Sequence, residues 1–330
     1  MATVIFPTSQ GIDLAGRVTP ALIQELKDRG WTGGVLRYLG RSTPTEAARQ
    51  SLPPDELKRL EAAGLTAGWK HLTESEVRLL SKAQIPIGSI YQRGTGDVFE
   101  GEKAAREYAL DALARAKFFG QPEGSAIYFT CDSDINAYAQ ARKISLRDAC
   151  NVVSEFLKVV HSVFAGRYKV GLYAQYDVIE TLRHHKHIEC FFQTRSWSKR
   201  KISTAANIYQ HSHDVKLAGS TVDLCDFYGD EGFWLPPVGG NQSTPQGGNP
   251  AMEEKIKQLE QQVASLKEQV SRLQAQLSPK EPPSWAEEAL SWAKEEAQVL
   301  HDEKGDETFH RLITVLHRLH EKGYISPRFY

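Results

Sequence analysis

Four aspartates stand at or just after short apolar segments that are far apart in the chain. They are Asp13, Asp132, Asp134 and Asp223. In a parallel barrel the strand ends gather at one rim, and the chemistry of such barrels is done there. Glycoside hydrolysis requires two carboxylates that flank one bond. We therefore predict these four aspartates as the catalytic residues of a site that cleaves a glycosidic bond.

Asp132 and Asp134 carry the strongest chemical signal, because residues at i and i+2 point to the same side of an extended strand. Two carboxylates in one pocket oppose each other's ionisation, which raises one pKa and gives a proton donor near neutral pH. The alternative is a pair of acids that bind turn amides or neighbouring arginines.

Other polar and aromatic side chains follow the same apolar segments. Aromatic rings stack on the C–H faces of sugars, and planar amides bond to their hydroxyls. Two alternatives stay open: Tyr91 could be a core residue, and Arg37 could hold an aspartate ionised. The residues predicted to bind substrate are Arg37, Tyr91, Tyr173, Gln193, Trp197 and Gln210.

No metal and no cofactor are predicted. His184, His185 and His187 form a cluster, but its polar setting is more typical of a solvated helix end than of converging metal ligands. Gly94 and Gly96 do not form a phosphate-binding motif. No serine has the strand-to-helix elbow context of an exposed nucleophile, so a catalytic triad is not predicted.

Short apolar strands alternate with amphipathic helical stretches from residue 4 to about residue 237. This alternation is typical of βα units around a parallel sheet. We therefore predict an α/β fold, a (β/α)8 TIM-like barrel over residues 1–238, in which the late helices are short or absent. The candidate strands are Gly11 to Leu14, Gly34 to Tyr38, Ile85 to Tyr91, Ala126 to Cys131, Lys169 to Tyr173, Glu189 to Gln193, Asn207 to Gln210 and Val222 to Asp226.

Three further segments follow the predicted barrel. Residues 239–252 are rich in Gly, Asn, Gln, Ser and Pro and predict a flexible linker. Residues 253–278 predict a short coiled coil and a parallel homodimer, although a lone helix that folds back on the barrel is the alternative. Residues 283–330 predict a small helical module that binds cell wall or a partner. The heptad positions are Ile256, Leu259, Val263, Leu266, Val270, Leu273 and Leu277.

The bulk composition excludes several classes of partner. Lysine plus arginine total 40 and aspartate plus glutamate total 41, so no strong field directs the chain to nucleic acid or anionic lipid. No apolar run approaches the roughly 18 residues of a membrane helix, and the N-terminus lacks the pattern of a secretory signal. We expect a protein made in the cytoplasm without a signal peptide and without membrane insertion.

Several of these segments, in their order, resemble a glycoside-hydrolase-like barrel domain of unknown function found in actinobacterial exported proteins and phage endolysins. That domain is itself similar to the glycoside hydrolase family 25 lysozymes. The resemblance covers about residues 4 to 235. It is carried by Gly11 to Asp13, Val35 to Leu39, Lys70 to Thr73 with Glu76, Ile90 to Gln92, Ala126 to Phe129 with Asp132 and Asp134, Gly171 to Tyr173, Ile208 to Gln210, and Gly219 to Leu224.

The resemblance implies a muramidase, since family 25 lysozymes cut the bond between muramic acid and glucosamine in peptidoglycan. By position, Asp132 and Asp134 match the family's Asp-x-Glu pair, and Asp13 and Asp223 match its flanking acids. Asp134 is one methylene shorter than the expected Glu, and a misplacement of about 1 Å can cost a hundredfold in rate. The architecture resembles a phage endolysin, which reaches the cell wall after holin-type release or lysis.

Three functions remain open from the sequence. The first is a peptidoglycan glycosidase that uses rim aspartates for general acid and base catalysis. The second is a non-catalytic barrel that binds cell-wall carbohydrate, favoured by the shorter acid at Asp134. The third is a structural or partner-recruiting protein that assembles through its coiled coil.

Overall fold

Eight β-strands close into a barrel in chain order, which confirms the predicted eight-stranded α/β barrel. The computed structural model describes residues 6–40, 52–68, 70–236, 286–293 and 307–322. The strands are β1 (Ser9–Asp13), β2 (Val35–Gly40), β3 (Ile87–Tyr91), β4 (Ala126–Thr130), β5 (Lys169–Ala174), β6 (Cys190–Thr194), β7 (Ile208–Leu217) and β8 (Ser220–Phe227).

Helices follow most of the early strands and cover the outside of the barrel. Among the described helices, none combines the length and the apolar character that a bilayer crossing requires. In the first unit they are α1 (Pro20–Asp28), α2 (Pro54–Ala62), α3 (Glu74–Ala83), α4 (Gly101–Phe118), α5 (Ile135–Arg142), α6 (Leu146–Phe164) and α7 (Tyr176–Leu182).

The last strand departs from the parallel pattern. β8 pairs antiparallel with both β7 and β1, whereas the pairs from β1 to β7 are parallel. The cause is the turn at Ala218 and Gly219, where both residues have positive φ (42° and 79°), as in the two-residue turns that join antiparallel strands. Such a turn leaves no room for a crossover helix, which a parallel return would need.

Two apolar layers lie on opposite faces of the strands, because successive side chains alternate in direction. Along β4, Tyr128 packs inside the barrel and Phe129 packs against the helices. Gly171 on β5 makes room for Tyr128, since a Cβ at position 171 would lie 2.4 Å from the tyrosine ring. Large and small residues thus fill the barrel interior, and the groups that could react are confined to its rim.

The segment that follows β8 covers the end of the barrel where the parallel strands begin. The Tyr128 hydroxyl donates to the Glu231 carbonyl (2.6 Å), and the Trp234 indole donates to Ser89 Oγ (2.9 Å). The Phe233 ring packs on the barrel interior, edge-on to Phe227 at 5.0 Å between ring centroids. This lower end is therefore closed by protein, and the opposite end forms the mouth.

A buried ion pair anchors β2 to α3 beside that mouth. The guanidinium of Arg37 donates to Glu76 Oε1 (3.0 Å) and to the Leu14 carbonyl (2.5 Å), and Arg37 is fully buried. Glu76 also accepts from the backbone N–H groups of Val18 (2.8 Å) and Thr73 (3.0 Å). Burial acts to raise the pKa of Glu76, but the Arg37 charge and the Val18 N–H outweigh it, so this pKa lies below its ordinary value.

The chain divides into two units, Met1–Asn241 and Gln242–Tyr330. In the second unit the structure describes α8 (Glu287–Ser291) and α9 (Glu307–Glu321), whose buried contacts include Leu290 and Ile313. The linker predicted at 239–252 and the coiled coil predicted at 253–278 lie outside the described residues. The dimer and the role of the terminal module therefore stay predictions.

Replacement of Glu76 by alanine should destabilise the barrel strongly, because it leaves the buried Arg37 charge without its carboxylate. We expect the free energy of unfolding in urea to fall by about 3–5 kcal/mol. Glu25→Ala, which removes the half-exposed ion pair to Arg29 on α1, is the control and should cost about 0–1 kcal/mol. Equal losses in the two variants would contradict a buried anchoring role for Glu76.

Candidate active site

Two adjoining basins form a groove across the mouth of the barrel. The smaller has a volume of about 230 Å³ and the larger of about 500 Å³. Asp13, Tyr38, Lys70 and Asp223 line both of them. The smaller basin is completed by Ile90, Gln92, Thr130, Asp132, Tyr173, Ser196, Gln210 and His213.

Asp13 and Asp223 face each other across the seam that closes the barrel. They are register partners in the antiparallel pairing of β1 with β8. Asp13 ends its strand, as predicted, whereas Asp223 lies within β8 and not at its end. β8 runs in the opposite direction to the other strands. Its first residues therefore lie at the same rim as the last residues of the parallel strands.

Gln210 connects four side chains under the groove. Its Nε2 donates to Asp13 Oδ2 (3.1 Å) and to Asp223 Oδ2 (3.0 Å). Its Oε1 accepts from the hydroxyls of Tyr173 (3.0 Å) and Thr194 (3.1 Å). Gln210 is buried, and every polar atom of its amide is bonded, so its orientation is fixed. The two aspartates are therefore held at a defined spacing.

Asp13 is the most strongly perturbed carboxyl of the groove. Burial raises its pKa to about 8, and the negative charge of Asp223 adds to this, while Lys70 and Arg37 act to lower it. Asp13 is only 4% exposed, and among the described residues no group hydrogen-bonds to its Oδ1. Asp13 thus carries a proton at neutral pH, in a position that borders the groove.

The two acids after β4 are not placed alike. Asp132 lines the smaller basin, where its Oδ2 accepts from the Gln92 amide (3.0 Å). Asp134 is the N-cap of α5, and its side chain accepts from the Asn136 N–H (2.9 Å). Asp134 is not among the described residues that line either basin. The structure thus separates the predicted pair, because the chain turns into a helix after Asp132.

Tyr173 and Gln210, both predicted to bind substrate, line the smaller basin. Burial and the carboxylates around it raise the pKa of Tyr173, so its hydroxyl keeps its proton. The Tyr38 ring is nearby and contributes an aromatic wall, with Lys70 Nζ 4.8 Å from its centroid. Aromatic surface and hydrogen-bonding groups therefore meet at the rim, as sugar binding requires.

Four residues predicted to bind substrate line neither basin, and their role as ligand contacts stays a prediction. The Tyr91 hydroxyl donates to Asp111 (2.7 Å) among the helices, and the Gln193 amide holds the Lys201 carbonyl and the Ser203 N–H (both 2.7 Å). Strand alternation explains this, because Tyr91, Gln193 and Arg37 each adjoin a residue that faces the barrel interior. Trp197 is 40% exposed and lines neither basin.

Several groove residues were not selected from the sequence. Gln92 follows a strand end, and Lys70 lies in a connecting loop. At such positions the sequence gives little information on the direction of a side chain. His213 and Ser196 come from the long β7–β8 hairpin and from the loop after β6, neither of which the strand count revealed. Within the described ranges, no cluster of three or more metal-binding side chains is found.

A closed barrel with carboxylates at its mouth is the arrangement expected of a glycoside-hydrolase-like domain. The family model "Rv2525c-like, glycoside hydrolase-like domain" matches residues 24–231. The chain belongs to this family. Among curated proteins, none matches the chain.

Solved structures that are similar to this chain come from several bacteria and a phage. The Tat-secreted protein Rv2525c of Mycobacterium tuberculosis, in complex with L-tartrate, is 23% identical, with a TM-score of 0.52 over 69% of this chain and 99% of that chain. The modular autolysin LytC of Streptococcus pneumoniae, in complex with a synthetic peptidoglycan ligand, is 16% identical (TM-score 0.39; 67% and 46% covered). The catalytic domain of endolysin ply40 from bacteriophage P40 of Listeria monocytogenes is also 16% identical (0.38; 70% and 97%).

Asp13 should titrate near pH 8, and Asp223→Asn should lower that pKa, because the substitution removes the neighbouring negative charge. The measurement is a titration of the Asp13 side-chain carboxyl carbon by NMR, with Asp13→Asn to assign the signal. Asp28→Asn, which removes an exposed carboxyl on α1, should leave the Asp13 pKa unchanged. An Asp13 pKa near 4 in the parent protein would contradict the buried, protonated state.

The raised pKa of Asp13 should also appear in the pH dependence of stability. A folded-state pKa of about 8, above the ordinary 3.8, contributes stability that is present below pH 4 and is lost as the pH rises through 8. One proton gives a slope of at most about 1.4 kcal/mol per pH unit. Asp13→Asn should therefore gain stability relative to the parent protein between pH 5 and pH 8 in urea unfolding. If the difference in unfolding free energy between Asp13→Asn and the parent protein stayed constant from pH 5 to pH 8, the link between the Asp13 pKa and stability would be contradicted.

Proposed function

We propose that this protein is a glycoside hydrolase that acts on peptidoglycan. One observation carries the proposal: the protonated, buried carboxyl of Asp13 and the carboxylate side chain of Asp132 line the same basin of about 230 Å³. A glycosidase needs one carboxyl that gives a proton to the leaving oxygen and a second that acts on the opposite side of the bond.

Asp13 is the proposed general acid. Its Oδ2 accepts the hydrogen bond from Gln210, and its Oδ1 is buried without a hydrogen-bond partner among the described residues. Transfer of the proton to a sugar oxygen therefore requires a rotation of the Asp13 carboxyl that brings the protonated oxygen to the basin. Donation then leaves a charged Asp13 next to Asp223, and the Lys70 and Arg37 charges stabilise the new carboxylate.

Asp132 is the proposed second carboxylate. The Gln92 amide binds its Oδ2 and fixes the orientation of the carboxylate group. In this position Asp132 activates water or stabilises the positive charge that develops on the sugar ring. Asp223 and Gln210 act as positioning residues, since they hold Asp13 through the shared amide.

The groove suits a polymer better than a single sugar. The two basins share four lining residues and are therefore continuous, and together they fall in the size range of ligand sites, about 300–1,000 Å³. One basin can hold the sugar that reacts, and the other can hold its neighbour. The choice of peptidoglycan rests on the order of motifs that this chain has in common with family 25 lysozymes. The reaction would take place at the bacterial cell wall.

A carbohydrate-binding barrel without catalysis is the second candidate. The placement of Asp134 favours it, because the family 25 resemblance assigns a catalytic acid to that position and the side chain instead caps α5. The same groove would then bind glycan without turnover. The two candidates differ only in whether Asp13 and Asp132 can complete the reaction without Asp134.

Release of new reducing ends from purified sacculi separates these candidates. If Asp13 and Asp132 react, Asp13→Asn and Asp132→Asn should each lower the rate by a factor of about 10² to 10⁴. Asp134→Asn is the decisive comparison. Asparagine is as good an N-cap as aspartate, so this variant keeps α5 intact while it removes the acid. We expect its rate to stay within a few-fold of the parent protein.

Two results would change the assignment. If Asp134→Asn lowered the rate of reducing-end release as much as Asp13→Asn does, Asp134 would be assigned as the general acid. Binding of the folded parent protein to sacculi without release of reducing ends would favour the non-catalytic barrel. Circular dichroism and urea unfolding of every variant exclude loss of fold as the cause.

A further inference from the structure

Three side chains of the smaller basin form a chain, and two of them, Ser196 and His213, have no role in the proposed glycoside hydrolysis. Ser196 Oγ lies 3.3 Å from His213 Nε2, and His213 Nδ1 lies 3.6 Å from Asp223 Oδ2. All three line the basin. The order is that of an acyl-transfer triad, in which a hydroxyl contacts one imidazole nitrogen and a carboxylate contacts the other. Catalytic hydrogen bonds are often this long before substrate binds.

The backbone of the β7–β8 hairpin directs His213 into the basin. The register between the two strands shifts on both sides of Ser212, between Gln210 and Val215, which is the signature of a β-bulge. Asp214 has a positive φ of 56°, and its N–H donates to Asp223 Oδ1 (2.9 Å). The bulge thus orients His213 and also fixes the carboxylate that contacts it.

The loop that carries Ser196 has an unusual backbone as well. The Ser196 N–H donates to Thr194 Oγ1 (3.1 Å), which holds the start of the loop. The next residue, Trp197, has a positive φ of 58°, a conformation that a bulky residue rarely adopts. Such strain is concentrated at functional sites.

We propose that Ser196, His213 and Asp223 form a catalytic triad that hydrolyses an acyl ester on the glycan bound in the groove. The identity of the carrier glycan rests on the proposed function above, whereas the triad itself rests on the geometry of these three residues. The substrate class is an O-acylated sugar, such as an O-acetyl hexosamine.

The reaction balances with water alone. Ser196 Oγ attacks the ester carbonyl carbon while His213 Nε2 takes the hydroxyl proton, and the positive charge on the imidazole is stabilised by Asp223. The bond between the carbonyl carbon and the sugar oxygen breaks, and His213 returns the proton to that oxygen. Water then attacks the acyl-serine by the same route, which releases a carboxylic acid and restores the Ser196 hydroxyl.

The hairpin also provides a matched control. His211, two positions before His213, lies 3.7 Å from Asp226 through Nε2 and 3.0 Å from Ser212 Oγ through Nδ1. None of these three residues lines either basin. If the groove is required, His213 should matter for ester hydrolysis and His211 should not.

The experiment treats the full chain with a fluorophosphonate probe, which reacts with activated serines, and locates the adduct by peptide mass mapping. In parallel, acetate release from O-acetylated sacculi is measured. We expect an adduct on Ser196, and we expect Ser196→Ala and His213→Ala each to lower acetate release by at least about a hundredfold. His211→Ala should retain both the adduct and the release. Thermal unfolding verifies that each variant is folded.

Ser196→Ala separates this proposal from the glycosidase. Because Ser196 has no role in the proposed cleavage of the glycosidic bond, this variant should lose the adduct and acetate release while the folded protein still forms new reducing ends. The absence of an adduct on Ser196 in the folded parent protein would overturn the triad. Acetate release that survives Ser196→Ala, or that falls equally in His211→Ala and His213→Ala, would overturn it as well.

Discussion

The antiparallel pairing of the first strand with the last is the constraint on which the site depends. It closes the barrel and sets Asp13 against Asp223, residues separated by almost the whole length of the first unit. The proximity of the two carboxyls, together with burial, keeps the proton on Asp13. Without this seam the groove, the Gln210 network and the perturbed acid would all be lost together.

The hydrogen bonds of Gln210 connect the closed seam of the barrel to the carboxyl groups of the site. Its amide donates to two carboxyl groups and accepts from two hydroxyls, so no polar atom of the amide is left unsatisfied. A fully satisfied network in a low-dielectric interior is rigid, because any rotation leaves a buried group without a partner. The same residue therefore fixes the geometry of both aspartates.

The sequence predicted the barrel and the location of Asp13, Asp132 and Asp223, because apolar periodicity and strand order determine where a closed sheet brings its rim together. It did not predict the face on which each rim residue lies. Arg37, Tyr91 and Gln193 are one position out of phase with the residues that face the barrel interior, so they point away from it. The alternation of side-chain direction along each strand could have predicted the face on which these three residues lie. The position of Asp134 agrees with the alternative of an acid that binds turn amides, whereas the bulge at Asp214 could not be found, since it depends on backbone bonds formed only in the folded chain.

The plug formed by Phe233 and Trp234 has a consequence for any long substrate. Side chains fill the barrel interior and this segment closes its lower end, so a long substrate can reach the rim only by lying crosswise over the mouth. If the proposed function holds, a glycan strand in that position would project on both sides of Asp13, and attack at internal positions would need no free chain terminus. Such a surface would suit a crosslinked mesh, in which few ends are available.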